Sequence, residues 1–244
     1  MIHEAITPTA TELRGQSTAV QDRQSSGLLT DAEQSEKQIE AVAAVAPAVI
    51  SVRRGSNAQT TNPSDDRVGS GVIIDSSGLA IASLRTTGSD GDLTVVLSTG
   101  ESAEATIVRV DEALQLVLLQ IEGETPAVAS LATESPRSGE RVLAIGTPLG
   151  YFSSTVTAGV VGAIGVSMPA LSDDVETIAG VLQHDAATNQ GNEGGPLINL
   201  DGEVIGIDLG SISTTVQDGQ DVIAHGWSFA VPVALLGPLI GQSE

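Results

Sequence analysis

Short runs of Val, Ile, Leu and Ala, each closed by Gly, Asp, Ser or Pro, recur from about residue 48 to residue 233. Runs this short are strands rather than helices, and their close spacing with turn residues between them is the pattern of an all-β chain. "VGSGVIIDSSGLAIASL" reads as two strands around a turn at Asp75–Gly78. "DLTVVLSTGESAEATIVRVD" is a second hairpin turning near Gly100, and "LQLVLLQIEG" is apolar enough for a strand covered on both faces. A second set follows: "RVLAIGTP", "STVTAGVVGAIG", "TIAGVLQHDA", "GPLINLDGEVIGIDLG" and "HGWSFAVPV", with Asp201-Gly202 a strong hairpin turn. About six short strands in each set predict two packed barrels rather than one open sheet.

The remaining segments frame these two sets. Residues 1–29 are polar and aperiodic and read as a flexible arm. A helix is expected over 30–46, capped by Thr30 or Asp31, with Ile39, Val42, Ala43 and Val45 at helical spacing and Pro47 ending it. The first barrel then occupies 47–123, a connector 124–140, and the second barrel with a short terminal helix 141–244.

Composition narrows function mostly by exclusion. Aromatic residues are 2% of the chain, so the core is aliphatic. Lys and Arg total 10 against 31 acidic residues, a net charge of −21 that repels nucleic-acid phosphates and anionic lipid. There is no cysteine, which excludes disulfides, thiolate metal sites and a cysteine nucleophile. No apolar run reaches the roughly 18 residues of a membrane span. The first residues lack the apolar core of a signal peptide.

Five segments, in order and suitably spaced, carry a resemblance: "VAPAVISV", "GSGVIID", "VLAIGTPLG", "QHDAATNQGNEGGPLINLDGEVIGI" and "SFAVPV". Together they resemble the protease domain of HtrA/DegP-type, trypsin-like serine proteases, from about residue 40 to residue 240. The resemblance implies two six-stranded Greek-key β-barrels with the active site in the cleft between them. It also implies a Ser–His–Asp triad and two backbone N–H donors for an oxyanion.

At the triad positions this chain differs. The family's Gly-Asn-Ser-Gly-Gly is here Gly191-Asn192-Glu193-Gly194-Gly195, so Glu193 takes the serine's place. Arg85 aligns with the histidine. In "DEALQLVLLQ" the first acid is kept as Asp111, but Gln115 aligns with the aspartate. Arginine is no general base, and glutamine supplies no charge to an imidazolium. The expectation is therefore a protein that is not an enzyme: a pseudoprotease that binds protein or peptide as a scaffold or regulatory subunit. The alternatives are a hydrolase with a rearranged site, led by Glu193 and His184, and a structural subunit of a larger assembly. Arg85 and Glu193 are expected to form a salt bridge across the cleft, within about 5 Å, with Gln115 accepting from the guanidinium. Alternatively Glu193 folds onto the oxyanion donors, the N–H groups of Gly191 and of residue 193 itself.

Other chemistry is poorly supported by the residues. His184 and Asp185 precede the Glu193 loop, but with Glu193 their spacing fits no recognised metal pattern. His184 is expected to pack or hydrogen-bond beneath the loop. "GSDGDL" falls short of a calcium loop, and the glycines around Glu193 lack the lysine of a phosphate loop. No cofactor or metal is called for. The family resemblance implies peptide docking along strand edges, a trimer as the homo-oligomer, and an extracytoplasmic location. A PDZ domain often follows this domain in the family, and none is expected within residues 1–244.

Overall fold

The computed structural model describes residues 30–54, 68–147, 154–169, 177–212, 214–217, 220–223 and 226–241. The expected arm over 1–29, with His3, lies outside these residues, as does His225. The chain divides into two units, Met1–Glu36 and Lys37–Glu244.

Helix α1 runs Asp31–Val45 and passes at once into a 3-10 turn, Ala46–Ala48, that contains Pro47. Thr30 begins it with a reciprocal cap. The Thr30 N–H and hydroxyl donate to Glu33 Oε2 at 2.6 and 2.9 Å, and the Glu33 N–H donates to Thr30 Oγ1 at 3.3 Å. The Thr30 backbone bond, then its side-chain bond, hold the Glu33 carboxyl below its ordinary value. In the last turns Ala41 and Val45 are buried.

Six strands close the first barrel: β1 (Val49–Arg54), β2 (Val68–Ile73), β3 (Leu79–Ser83), β4 (Leu93–Val96), β5 (Ser102–Asp111) and β6 (Leu116–Ile121), in the order β1-β2-β3-β6-β5-β4. Closure comes from β1 pairing with β4, where Ser51 faces Val96 and Arg54 faces Leu93. Alternation decides which side chains point inward. In β4, Leu93 and Val95 are buried while Thr94 and Val96 are half-buried. β6 is buried along nearly its whole length, which is why its sequence does not alternate. After β3 the chain makes a one-turn helix, α2 (Leu84–Thr87), ended by Gly88 at φ 68°.

The second half contains β7 (Ser130–Leu131), β8 (Arg141–Gly146), β9 (Thr155–Pro169), β10 (Thr177–His184), β11 (Pro196–Ile198), β12 (Glu203–Ser211), β13 (Thr214–Gln217), β14 (Gln220–Ile223) and β15 (Ser228–Pro232). Neighbours run β11-β8-β9-β10-β15-β12, and β11 also pairs with β12, so these six strands form a ring. The all-β, double-barrel architecture expected from the sequence is therefore the fold of the chain. Several details depart from expectation. The stretch expected as a plain connector contributes β7, which lies parallel to β12 and makes the sheet seven-stranded. Two residues carry too little pattern to be read as a strand. The β13–β14 ribbon and α2 were likewise not anticipated. The C-terminus ends in a 3-10 turn, Val233–Leu235, and α3 (Gly237–Ile240), whose Pro238 and Leu239 carbonyls accept from Arg109 Nη1 at 2.5 and 2.9 Å.

One buried aliphatic cluster runs from the first barrel into the second, from Ile50, Ile81 and Leu119 to Ile145, Ile178 and Ile198. A smaller one, around Leu182, Leu197 and Ile205, fills the far side of the second barrel. Leu119 is fully buried, so Leu119→Ala should cost about 2–5 kcal/mol in urea unfolding. Because the Glu33 value is lower folded than unfolded, its cap contribution is present above the unfolded value and lost as pH falls through the folded one. Amide signals of the first turn of α1 should therefore broaden on acidification in wild type, and not in Glu33→Gln.

Candidate active site

The loop from Asn189 to Gly195 crosses the seam between the barrels and is fastened to both. On the first-barrel side, the Ser70 N–H of β2 donates to the Glu193 carbonyl at 3.0 Å, and Ser70 Oγ donates to the Gly191 carbonyl at 2.6 Å. Ser70 Oγ also accepts from the Thr147 N–H at 2.8 Å, just past β8. On the second-barrel side, the Gly194 N–H donates to the Asp208 carbonyl at 2.7 Å, and the Asp208 N–H donates to the Gly195 carbonyl at 2.9 Å. The loop closes on itself through the Asn192 N–H to the Asn189 carbonyl and the Gly195 N–H to the Asn192 carbonyl, both 2.9 Å.

This path requires glycine. Gly194 sits at φ 87°, and a Cβ there would run into the Ser70 carbonyl and the Ser83 backbone N–H, neither of which can yield. At Gly195 a Cβ would strike the Ile145 carbonyl.

Glu193 is the charged group of this loop, and it is buried, with 7% of the residue exposed. Its Oε2 accepts from the Gly191 N–H at 2.6 Å. Its Oε1 lies 3.6 Å from Arg85 Nη1, an ion pair longer than a hydrogen bond. Arg85 stands on α2 of the first barrel with its side chain about half exposed (48%). One carboxylate thus spans both placements drawn from the sequence, the guanidinium and the loop N–H. Gly210 of β12, at φ 117°, flanks it: a Cβ there would lie 3.3 Å from Glu193 Cγ.

The other anticipated residues have different surroundings. Gln115 is in the left-handed region at φ 56°, its backbone carbonyl accepts from the Leu84 N–H at 3.0 Å, and its side-chain nitrogen donates to the Glu112 carbonyl at 2.7 Å. Asp111 Oδ1 caps the same turn, accepting from the Leu114 N–H at 2.9 Å. His184 is completely buried, with Nε2 2.9 Å from Asp208 Oδ1. Asp185 is exposed and accepts from the Val160 N–H at 2.6 Å. Asp90, in the segment with the faint calcium-loop pattern, pairs with Arg54 Nη2 at 2.9 Å. Among the described residues no three His, Asp or Glu side chains are grouped to hold a metal ion.

Three members of the site were not singled out in the sequence: Ser70, Thr147 and Asp208. The signal was present for two of them. A serine inside "VGSGV" and an aspartate inside "VIGIDLG" are polar residues in strands otherwise built for burial, and such residues need a specific partner.

A family model described as a trypsin-like peptidase domain matches residues 69–207, more than half the chain. The chain belongs to the trypsin-like peptidase family. Its relatives are of HtrA/DegP type. The chain is 36% identical over 185 residues to "Serine protease Do-like HtrA" of Lactococcus lactis subsp. lactis, covering 73% of this chain and 45% of that protein. It is 40% identical to "Serine protease Do-like HtrB" of Bacillus subtilis, covering 62% and 32% respectively. A "Probable periplasmic serine endoprotease DegP-like" of Pseudomonas fulva is 37% identical, covering 69% and 33%. The crystal structure of the serine endoprotease from Yersinia pestis superposes with TM-score 0.67 at 30% identity, covering 88% of this chain and 66% of that one. The chain thus spans less than half the length of these three curated relatives. Their names correct the expectation that this chain is not an enzyme: all are named as proteases, and differences read at aligned positions do not by themselves establish inactivity.

The contacts of this trypsin-like chain give two energetic predictions. A double-mutant cycle with Arg85→Gln and Glu193→Gln should return a coupling of only about 0.5–1 kcal/mol, because the guanidinium is half in water. Gly194→Ala should cost more than about 3 kcal/mol by thermal or urea unfolding, since it adds both backbone strain and a clash with main chain.

Proposed function

We propose that this chain binds extended polypeptide in the cleft between its barrels and hydrolyses it through a rearranged, carboxylate-centred site. The observation that carries this reading is the Glu193 carboxylate at the seam, bracketed by the Gly191 N–H at 2.6 Å and Arg85 at 3.6 Å. The protease names of its relatives support it. In this reading Glu193 stands at the nucleophile's position, Arg85 at the histidine's and Gln115 at the aspartate's. The Gly191 and Glu193 N–H groups are the oxyanion donors.

The residues then divide the work as follows. Glu193 accepts a proton from a water molecule as that water's oxygen attacks the scissile carbonyl. The proton passes to the leaving amine nitrogen when the C–N bond breaks. The oxyanion takes up the Gly191 N–H after Glu193 Oε2 has left it, and Arg85 offsets the negative charge without moving a proton. Each turnover must first break the resting contacts of the carboxylate, so the rate should fall below the usual floor of about 1 per second. Direct attack by the carboxylate is disfavoured, because the resulting anhydride readily reverts. The working location in this reading is outside the cytoplasm, as for the relatives named periplasmic.

Release of labelled fragments from casein tests the proposal. Cleavage should be slow and unaffected by a fluorophosphonate that consumes active serines. Glu193→Gln should lower the rate about 100-fold or more while casein binding persists. Casein bound but never cut by the wild-type chain would defeat the hydrolytic part. Fluorophosphonate labelling of a serine would defeat the carboxylate assignment.

A further inference from the structure

We propose that the Gly191 N–H and the Arg85 guanidinium form a carboxylate-binding subsite whose resident is Glu193, and that the ligand it takes is the free C-terminal carboxylate of a bound polypeptide. The inference rests on the reading that polypeptide enters this cleft, but not on hydrolysis there. What a set of donors accepts is best read from what already sits on it. Here that occupant is a carboxylate, with one oxygen on a backbone N–H at 2.6 Å and the other 3.6 Å from a guanidinium. A backbone N–H beside a guanidinium is a favourable pairing for such a group, because both donors carry positive charge towards it.

The resident is held unequally. The Oε2 contact is short, whereas the Oε1 contact exceeds hydrogen-bond length, so the Arg85 side of the subsite is the weaker attachment. That side also faces water, since 48% of the Arg85 side chain is exposed against 10% of that of Glu193. A ligand therefore approaches over Arg85. The guanidinium plane has donors in a fork, a geometry suited to carboxylates and able to serve more than one. Gly210 leaves the Glu193 side chain its space, as a Cβ there would lie 3.3 Å from Cγ. Glu193 is an internal competitor: it fills the subsite at rest and lowers the apparent affinity of any carboxylate that replaces it. An α-carboxylate is also the group that peptide hydrolysis creates, so the same donors would hold a cleaved chain by its new end.

Fluorescence anisotropy with the whole chain and labelled peptides of one apolar sequence tests this. One peptide ends in a free carboxylate, one in an amide, and one in an amidated glutamate. The free acid should bind about fivefold more tightly than the amide, as a charge-assisted contact predicts. Glu193→Gln, which removes the competing charge but keeps the shape, should raise free-acid affinity about tenfold and change amide affinity less than about twofold. Arg85→Gln should abolish the preference, with unchanged circular dichroism showing that both variants fold. Equal binding of acid and amide by wild type and Glu193→Gln would overturn the subsite while leaving polypeptide binding intact. An amidated glutamate peptide that matches the free acid would overturn the assignment to the chain terminus. Failure of every peptide to bind would overturn the cleft reading and the subsite together.

Discussion

The double attachment of the 189–195 loop is the constraint on which the rest of the site depends. Ser70 holds it from the first barrel, by its N–H and its hydroxyl, and Asp208 from the second, by its backbone, each bonded to the main chain of residues 191–195. Neither barrel presents the Glu193 carboxylate alone. The second barrel supplies its backbone, the first supplies its guanidinium partner, and the loop bends so that the Gly191 N–H meets Oε2. Moving either barrel would change the carboxylate's surroundings before any side chain was altered.

Asp208 is tied to this frame twice. Its backbone pairs with the loop while its side chain meets His184 in a fully buried contact. Among the described residues, Nδ1 of His184 and Oδ2 of Asp208 have no hydrogen-bond partner in that interior. Buried polar atoms of this kind make a site costly to rearrange, because any shift that parted the pair would strand further groups. The pair therefore supports the position of β12, and through it the Gly194 N–H and Gly195 carbonyl.

Much of this arrangement could be read in the sequence. The strands of both barrels were legible because burial on a pleated surface leaves a strong trace: alternation in β4, continuous apolar character in β6, and Asp-Gly at the β11–β12 turn. β7 was not legible, since its place is set by the edge of β12 rather than by any pattern of its own. At the site, Arg85 and Glu193 could be named because their positions align with motif landmarks. The local turn that takes Gln115's side-chain nitrogen to Glu112 could not, because it depends on a left-handed backbone at a residue that is not glycine. Ser70 and Asp208 were visible as residue types, but their partners lie 121 and 24 positions away in sequence, a separation that only folding brings together.

The glycines at 194 and 195 separate what can vary in this loop from what cannot. Their backbone atoms lie against the main chain of β2, β3 and β8, where no side chain fits. Residue 193 is bound to the frame through its carbonyl, and among the described residues its side chain meets the Gly191 N–H and Arg85. The architecture therefore works like a socket: the housing is fixed by peptide groups, and the fitting at one position is interchangeable. A designer, or mutation over time, could exchange the fitting and give the same seam a new reagent without rebuilding either barrel.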